Sequence, residues 1–391
     1  MRYLSSSSPR SVGTIWKTLP RLSGVLVAVS LIGCEEVPSI PLAPPPPTTP
    51  VVSQQATTPS VNTIKPEAAQ PNAATSLEDP QAVITKFLNT PTTERRDTDV
   101  LRVCNLSSGT DSVTSMELNS SPVTDDGIKN LGKLPNLESI NFSNTKITDV
   151  GFAVTLELPK LRALNLTNCN VNAPMLQTLS KLEHLEELTL ERAPVGDEAL
   201  AALVNLASLK SLNLAGTQIS DNGFKHLDKM KSLEVLKISN TAVRGQGMQF
   251  LKRKKGDAGL RILDASHSQF GMAGLQFLKT VETLEELDVS QAEVTDRALL
   301  GLKGITHLKK LNLGYNQVSD QGLGALVSTK GIEKLYLRNN AMVSDFTLKG
   351  LAKNKDLSFL DVNGTNCTIN GVATLKKSLP NCEILFMGAT H

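Results

Sequence analysis

The strongest constraint on this chain is a pattern that recurs about every 24 residues through most of its length. One copy runs from Leu209 to Ser232 as Leu-x-x-Leu-x-Leu-x-x-Thr-x-Ile-Ser-Asp-x-Gly-Phe-x-x-Leu-x-x-Met, and the next copy begins at Leu233. The copies begin at Leu137, Leu161, Leu185, Leu209, Leu233, Leu260, Leu284, Leu308, Ile332 and Leu357, at intervals of 24, 24, 24, 24, 27, 24, 24, 24 and 25 residues. A fixed period of this length is typical of a solenoid.

The hydrophobic period changes inside each copy. Leu212 and Leu214 alternate with period two, which predicts a strand with both side chains on one side. Phe224 and Leu227 have the three-residue spacing of a short helix with one buried stripe. Ser220 precedes them at a helix N-cap position. Each copy is therefore predicted to be one coil of strand, turn and short helix, which must stack on its neighbours to bury its apolar side.

These motifs resemble the leucine-rich repeat family, in its helix-bearing subclasses similar to ribonuclease-inhibitor-like and F-box-associated repeats. The resemblance covers roughly residues 100–391, with departures at Thr347, where glycine is usual, and at one extra residue near Met342. It implies an α/β fold: a right-handed solenoid shaped as a horseshoe, with parallel strands on the concave face and helices on the convex face. Because strands pack about 4.8 Å apart and helices about 8–10 Å apart, the stack is expected to curve toward the strands.

The N-terminal segment predicts an export signal. Four basic residues precede residue 34, where no acidic residue occurs, and an apolar run follows them from Leu22 to Ile32. This run is too short to span a bilayer and is typical of a secretory signal. Leu31-Ile32-Gly33-Cys34 resembles the lipobox of bacterial lipoproteins, which are cleaved before a cysteine that then carries lipid. The alternative is an ordinary signal peptide followed by a cysteine at that position by chance.

The remaining boundaries follow from composition. We predict a signal peptide at 1–33, a lipidated Cys34 with a disordered Pro-rich tether at 34–78, an N-terminal cap at 79–112, about 11 repeats at 113–381 and a C-terminal cap strand at 382–391. Within the cap, the pattern from Asp79 to Asn89 predicts an amphipathic helix, and Val100 to Leu106 is a candidate capping strand.

The charge balance argues against nucleic acid as a partner. The chain carries a net charge of +2, and without the four basic residues before position 34 it has 36 basic and 38 acidic residues. Non-specific nucleic-acid binding requires a basic stripe. One basic run, from Lys252 to Lys255, could touch anionic lipid headgroups or be a solvated loop.

No catalytic or cofactor motif is present, so we predict neither an enzyme nor a cofactor. The five histidines lie in different coils, and no Cys-x-x-Cys or paired-histidine spacing indicates zinc. Cys367 and Cys382 lie close in the last coil, and the sequence leaves open whether they form a disulfide. Asp264 and Asp288 occupy the same strand position in adjacent coils, either as a cation site or as a solvated pair balanced by Lys310.

The candidate binding residues lie on the outward-pointing positions of the last strands. They are larger and more aromatic than the small residues of the middle coils, and they comprise Lys310, Tyr315, Lys334, Tyr336, Arg338, Phe359 and Asp361. Tyrosine, arginine and exposed phenylalanine are enriched at protein interfaces. The alternative is that they are scattered surface residues.

The resemblance places function on the concave face. We therefore expect a lipid-anchored, non-enzymatic recognition scaffold that binds a protein partner, most simply as a monomer. It would be exported and held on the bacterial cell membrane or outer membrane, facing the periplasm or the cell surface. The alternative is an envelope polysaccharide-binding or structural protein, because an aromatic platform with polar neighbours can also hold sugar.

Overall fold

The computed structural model describes residues 79–251, 259–271, 273–278, 281–303, 305, 307–324, 326 and 331–387. The chain divides into two compact units, Met1–Asn72 and Ala73–His391, and every described residue lies in the second. The predicted signal peptide, Cys34, the tether and the basic run Lys252–Lys255 lie outside the described residues. In the described part, no helix combines the length and the apolar composition needed to cross a bilayer.

The strands form one parallel sheet in sequence order, as the repeat predicts. The twelve described strands are β1 Ser115–Glu117, β2 Ser139–Asn141, β3 Ala163–Asn165, β4 Glu187–Thr189, β5 Ser211–Asn213, β6 Val235–Lys237, β7 Ile262–Asp264, β8 Glu286–Asp288, β9 Lys310–Asn312, β10 Lys334–Tyr336, β11 Phe359–Asp361 and β12 Glu383–Leu385. Each strand occupies positions 3 to 5 of its coil, counted from the first leucine. Equivalent residues pair across neighbours, as Leu212 pairs with Leu236. The predicted α/β solenoid is confirmed.

Helices follow the strands on the other side of the core. They are α1 Pro80–Asn89, α2 Asp97–Cys104, α3 Asp125–Ile128, α4 Asp149–Phe152, α5 Ala173–Leu179, α6 Asp197–Ala202, α7 Gly274–Phe277, α8 Asp296–Leu299, α9 Asp320–Leu323, α10 Asp345–Leu351 and α11 Ile369–Ser378. The repeating leucines lie between the two layers: Leu209, Leu212 and Leu214 are fully buried. Short 3₁₀ segments lie at Thr92–Glu94, Thr110–Ser112, Leu131–Lys133, Ala153–Glu157, Leu203–Asn205, Asp221–Lys229, Gln246–Leu251 and Leu300–Leu302.

Two predicted elements differ from the structure. The segment after Ser220 forms a 3₁₀ helix, Asp221–Lys229, instead of an α-helix. The candidate strand from Val100 to Leu106 is wrong, because α2 ends there at Cys104. Its apolar residues have helical spacing: Val100, Val103 and Cys104 are all buried.

The buried side chain of Arg95 connects the end of α1 to β1. Arg95 is 5% exposed, and its Nε donates to the Thr90 carbonyl at 3.0 Å while its Nη2 donates to the Leu88 carbonyl at 3.2 Å. Its Nη1 donates to the carbonyl of Glu117 in β1. The guanidinium also lies 4.4 Å from the ring centroid of Phe87 in α1. One side chain therefore joins the end of α1 to the edge of the sheet.

Aspartates at the helix starts connect each coil to the next. Asp125 accepts hydrogen bonds from the backbone N–H and the hydroxyl of Thr148, one coil later, at 2.8 and 2.5 Å. The same pair of bonds joins Asp97 to Thr124, Asp197 to Ser220, Asp296 to Ser319, Asp320 to Ser344 and Asp345 to Thr368. We call these residues the aspartate ladder. The sequence predicted only an N-cap inside each coil, because the pattern does not show the contact across 23 or 24 residues.

A glycine in the next coil, three residues after the threonine or serine that donates to the aspartate, usually makes room for the ladder. A Cβ added at Gly322 would lie 2.2 Å from Asp296 Oδ1 and 2.7 Å from the Asp296 Cα, distances that no side chain allows. Thr347, which stands where glycine is usual, instead donates its hydroxyl to Asp320 Oδ1 at 2.5 Å, and its backbone N–H donates to the same atom at 3.2 Å. The departure from the repeat thus adds two bonds to the ladder.

Small, mostly polar residues at position 9 of the coils have structural roles in the turns after the strands. The hydroxyl of Thr217 donates to the Leu214 carbonyl of its own coil at 2.6 Å, not to an adjacent coil. Asn316 does reach the adjacent coil: its Nδ2 donates to the Val289 carbonyl at 2.8 Å. A hydroxyl is too short to cross between coils, whereas an amide is long enough.

Candidate functional site

One face of the sheet is not covered by the hydrophobic core. In β1 to β11 the central residue is buried, and in most of these strands the first and third residues are half-buried or exposed. We call this side the open face. It is the surface on which the sequence placed partner binding.

An aromatic pair lies on the open face of β10 and β11. The ring centroids of Tyr336 and Phe359 are 5.0 Å apart with an interplanar angle of 38°, within the range of favourable aromatic contacts. Both side chains are half-buried, so each keeps part of its ring in solvent. Lys334 stands directly opposite Phe359 in the sheet register. Arg338, two residues beyond Tyr336, is also half-exposed.

Lys310 extends this surface to β9 but is partly neutralised. Its Nζ lies 3.1 Å from Glu286 Oε2 of β8, with both side chains about two-fifths exposed. Burial lowers the pKa of Lys310, but the hydrogen bond and charge of Glu286 outweigh it, so the pKa is raised and the ammonium form is favoured. We define the basic–aromatic patch as Lys310, Lys334, Tyr336, Arg338 and Phe359.

Two predicted binding residues lie elsewhere. Asp361 is only 6% exposed, and its Oδ1 accepts the backbone N–H of Asn363 at 3.0 Å, so its carboxylate serves the turn after β11. Tyr315 is exposed, but it lies in the turn after β9 with φ +57°. Alternation places Asp361 on the open-face side of β11 but does not show that the following turn uses its carboxylate. Tyr315 lies three residues beyond the end of β9, where alternation no longer applies.

The paired aspartates also have structural roles. Asp264 Oδ1 accepts from the backbone N–H and hydroxyl of Ser266 at 3.0 and 2.7 Å. Asp288 does the same with Ser290, and its Oδ2 accepts from Asn312 Nδ2 at 2.8 Å. The two carboxylates are therefore stabilised mainly by neutral hydrogen-bond donors, and not by the charge of Lys310 as predicted. Among the described residues, no group of three or more histidine, cysteine or acidic side chains is placed to hold a metal ion.

Cys367 and Cys382 are both buried, free thiols, so the structure contains no disulfide between them. Burial raises the pKa of the Cys367 thiol to about 11, which disfavours the reactive thiolate. Burial likewise raises the pKa of Cys104, to about 12. These cysteines are core residues, as their positions in the repeat indicated for Cys367.

A row of alternating charges, not recognised in the sequence, lies at position 2 of successive coils. Its members are Glu138, Arg162, Glu186, Lys210, Glu234, Arg261, Glu285, Lys309 and Glu333. Glu285 accepts from Arg261 Nε at 2.8 Å and from Lys309 Nζ at 2.9 Å, and these hydrogen bonds lower its pKa to about 2. The row borders a groove of about 930 Å³. Comparing position 2 across the coils would have revealed the alternation from sequence.

Comparisons with known proteins agree with the repeat architecture. The profile of the family described as "Leucine Rich repeat" matches residues 205–227 and 304–327. The chain is similar to the solved structure of an internalin (inlF) from Listeria monocytogenes, with 20% sequence identity and a TM-score of 0.53, over 80% of this chain and 95% of that one. It is also similar to the plant peptide hormone receptor RGFR1 in complex with RGF2, with 15% identity and a TM-score of 0.44, over 69% of this chain and 47% of that one. No curated protein gave a match. The internalin similarity supports the fold, and the second similarity is too low to support an argument.

Proposed function

We propose that the chain is a non-enzymatic recognition scaffold that binds a protein partner through the open face of its sheet, because two of its segments match the leucine-rich repeat family and its fold is similar to that of an internalin. The observation that carries this proposal is the contact between Tyr336 and Phe359, with ring centroids 5.0 Å apart on a face that the core does not cover. Among the described strands, only β10 and β11 carry an aromatic side chain at the first or third position, whereas β5 for example has Ser211 and Asn213 there. The aromatic part of a binding hot spot is thus found on these two strands.

The pair is suited to an interface because it is already ordered before a partner arrives. Each ring restricts the other, so less side-chain freedom is lost on binding. Aromatic side chains combine a large contact area with few rotatable bonds. A partner that covers both rings would remove from water the apolar area that remains exposed in the free protein.

The charges around the pair indicate the chemistry of the partner. Within the part of the chain that the structure describes, Lys334 and Arg338 form no ion pair, whereas Lys310 pairs with Glu286. Unpaired cations beside an aromatic pair favour a partner with acidic side chains around an apolar centre. The partner is therefore proposed to carry carboxylates that meet Lys334 and Arg338.

We expect the double variant Tyr336→Ala/Phe359→Ala to weaken partner binding at least tenfold, because hot-spot truncations of this kind cost about 2 kcal/mol or more. Partners would be crosslinked in intact cells, identified by mass spectrometry and titrated against purified wild-type and variant protein. The matched control is Val235→Ala/Lys237→Ala, which changes the same strand positions in β6. Equal affinity of the wild type and the β10–β11 variant for the identified partner would contradict the proposal, as would stronger binding to isolated envelope polysaccharide than to any protein.

We also propose that Cys34 anchors the protein to a membrane through lipid, on the strength of the lipobox-like sequence Leu31-Ile32-Gly33-Cys34 directly after an apolar run. Two or three acyl chains hold a protein stably at a bilayer, whereas one alone does so only reversibly. We expect Cys34→Ala to move the protein from the membrane fraction to the soluble fraction and to abolish labelling with a fatty-acid analogue. Cys104→Ala is the control, because this buried thiol should leave both results unchanged. Continued labelling of the Cys34→Ala protein would contradict lipidation at this residue.

A further inference from the structure

A row of left-handed backbone residues follows the strands, at position 8 of each coil. It consists of Ser120, Asn144, Asn168, Arg192, Gly216, Asn240, His267, Gln291, Tyr315, Asn339 and Gly364, all with φ between +50° and +67°. Glycine and asparagine tolerate this conformation best, whereas bulky residues in it are outliers. Bulky side chains occupy it in three consecutive coils, at His267, Gln291 and Tyr315, and Glu293 nearby has φ +57°.

Backbone strain of this kind is imposed by the surrounding fold and clusters at active sites and ligand-binding sites. Asparagine or glycine occupies the same position in most other coils, so either residue would fit each of these turns with less backbone strain. The strained bulky residues are not distributed evenly: Arg192 is the one other large side chain in the described part of the row. The concentration of these bulky residues in three neighbouring coils indicates that their side chains serve a function at the surface.

These residues line one groove. It has a volume of about 940 Å³ and runs along the turns after β6 to β10, with Asn240, His267, Gln291, Glu293, Tyr315 and Asn339 along it. The upper range of small-ligand pockets is about 1,000 Å³, so the groove can accommodate an oligomer of a few units. None of the residues of the basic–aromatic patch lines it.

The polar groups of the groove are available to a ligand. Within the described residues, the side chains of Asn240, His267, Gln291 and Tyr315 make no hydrogen bond to the protein, and all four are exposed. At the other end of the row the situation differs, because Asn168 Nδ2 donates to Asn144 Oδ1 at 2.9 Å. These four side chains therefore keep their donors and acceptors facing solvent.

We propose that this groove binds a neutral oligosaccharide. Amide side chains such as Gln291 both donate and accept hydrogen bonds, as sugar hydroxyls do. The Tyr315 side chain, 48% exposed, offers an apolar surface to the C–H face of a sugar ring. None of the described residues that line the groove is lysine or arginine, which disfavours phosphates and acidic polymers. Glu293 Oε1 accepts from Gln269 Nε2 at 3.3 Å, and Glu293 Oε2 can accept from a sugar hydroxyl.

The spacing of the row suits a linear polymer. Adjacent coils repeat at about 4.8 Å, which is close to the length of one sugar residue in an extended chain. His267, Gln291 and Tyr315 would then contact successive sugars. This site is separate from the open face, so the inference does not depend on the proposed protein partner.

The test is calorimetric titration of the full-length protein with maltotriose, cellotriose, chitotriose and mannotriose, and with sialyllactose as an anionic probe. We expect at least one neutral trisaccharide to bind with a dissociation constant of about 1 mM or tighter, and sialyllactose to bind more weakly. His267→Asn/Tyr315→Asn should raise that constant at least tenfold. The same substitutions should leave the melting temperature unchanged or higher, because asparagine tolerates the left-handed turn better.

Two control variants make the outcome decisive. Arg192 has the same left-handed backbone conformation, φ +55°, but lies outside the groove. Arg192→Asn should therefore relieve the same kind of strain and leave sugar affinity unchanged. Tyr336→Ala/Phe359→Ala should also leave it unchanged. The proposal is overturned if no neutral trisaccharide binds, if His267→Asn/Tyr315→Asn binds as well as the wild type, or if the open-face variant abolishes sugar binding.

Discussion

Arg95→Ala is expected to lower the free energy of unfolding by about 4 kcal/mol, because it removes a buried side chain and its hydrogen bonds to three part-buried carbonyl groups. The three carbonyls belong to Leu88, Thr90 and Glu117, so the hydrogen bonds that connect the end of α1 to β1 would be lost. Burial lowers the pKa of Arg95, partly offset by the Glu117 carboxylate, but arginine remains charged in proteins. Urea-induced unfolding would measure the change.

The neighbouring Arg96 provides the matched control. It is exposed, so Arg96→Ala should change stability by less than about 0.5 kcal/mol. Arg95→Lys should fall between the wild type and Arg95→Ala, because an ammonium group cannot reproduce the planar fork of donors. Amide exchange should accelerate first in α1 and α2 of the Arg95→Ala protein. An unfolding free energy equal to that of Arg96→Ala would show that the N-terminal helices are held by apolar packing alone.

Asp320→Ala is expected to lower the free energy of unfolding by about 3 kcal/mol, since a carboxylate hydrogen bond contributes about 1.5–3 kcal/mol and this carboxylate accepts several. Its donors are the backbone N–H and hydroxyl groups of Ser344 and Thr347, at 2.5 to 3.2 Å. The substitution would leave those groups unpaired between two coils. Thermal and urea unfolding would measure the loss, with the exposed Asp126→Ala as a control expected to be near neutral.

The effect of Asp320 also has a predictable pH dependence. Burial raises the pKa of its carboxyl group, but the hydrogen bonds from Ser344 and Thr347 outweigh it, so the folded pKa lies below the ordinary value of 3.8. A depressed carboxyl pKa adds stability that is complete above the unfolded pKa and is lost as pH falls through the folded pKa. The stability gap between wild type and Asp320→Ala should therefore be constant near neutral pH and narrow below about pH 4. A gap that stays constant down to the lowest pH at which both proteins fold would contradict this role.

The binding surface was only partly predictable from the sequence. Tyr336 and Phe359 were selected because of their side-chain types, and the structure shows that they touch. Asp361 was grouped with them because alternation gives the side that it faces but not its hydrogen bond to the Asn363 backbone. Tyr315 was added because of its side-chain type, although it lies beyond the end of β9. A local pattern cannot show where a strand stops and its turn begins, since backbone hydrogen bonds to the next coil decide that.

The spacing of the leucines was sufficient to predict the stack of strands and helices and the buried positions, because burial of one face depends on period alone. Contacts between coils could not be obtained in this way. Three features join residues that lie far apart along the chain. They are the hydrogen bonds of Asp320 with Ser344 and Thr347, the hydrogen bonds of Arg95, and the groove beside Tyr315. They depend on the relative placement of two backbones to within the length of a hydrogen bond, and that placement is established only when the coils pack together.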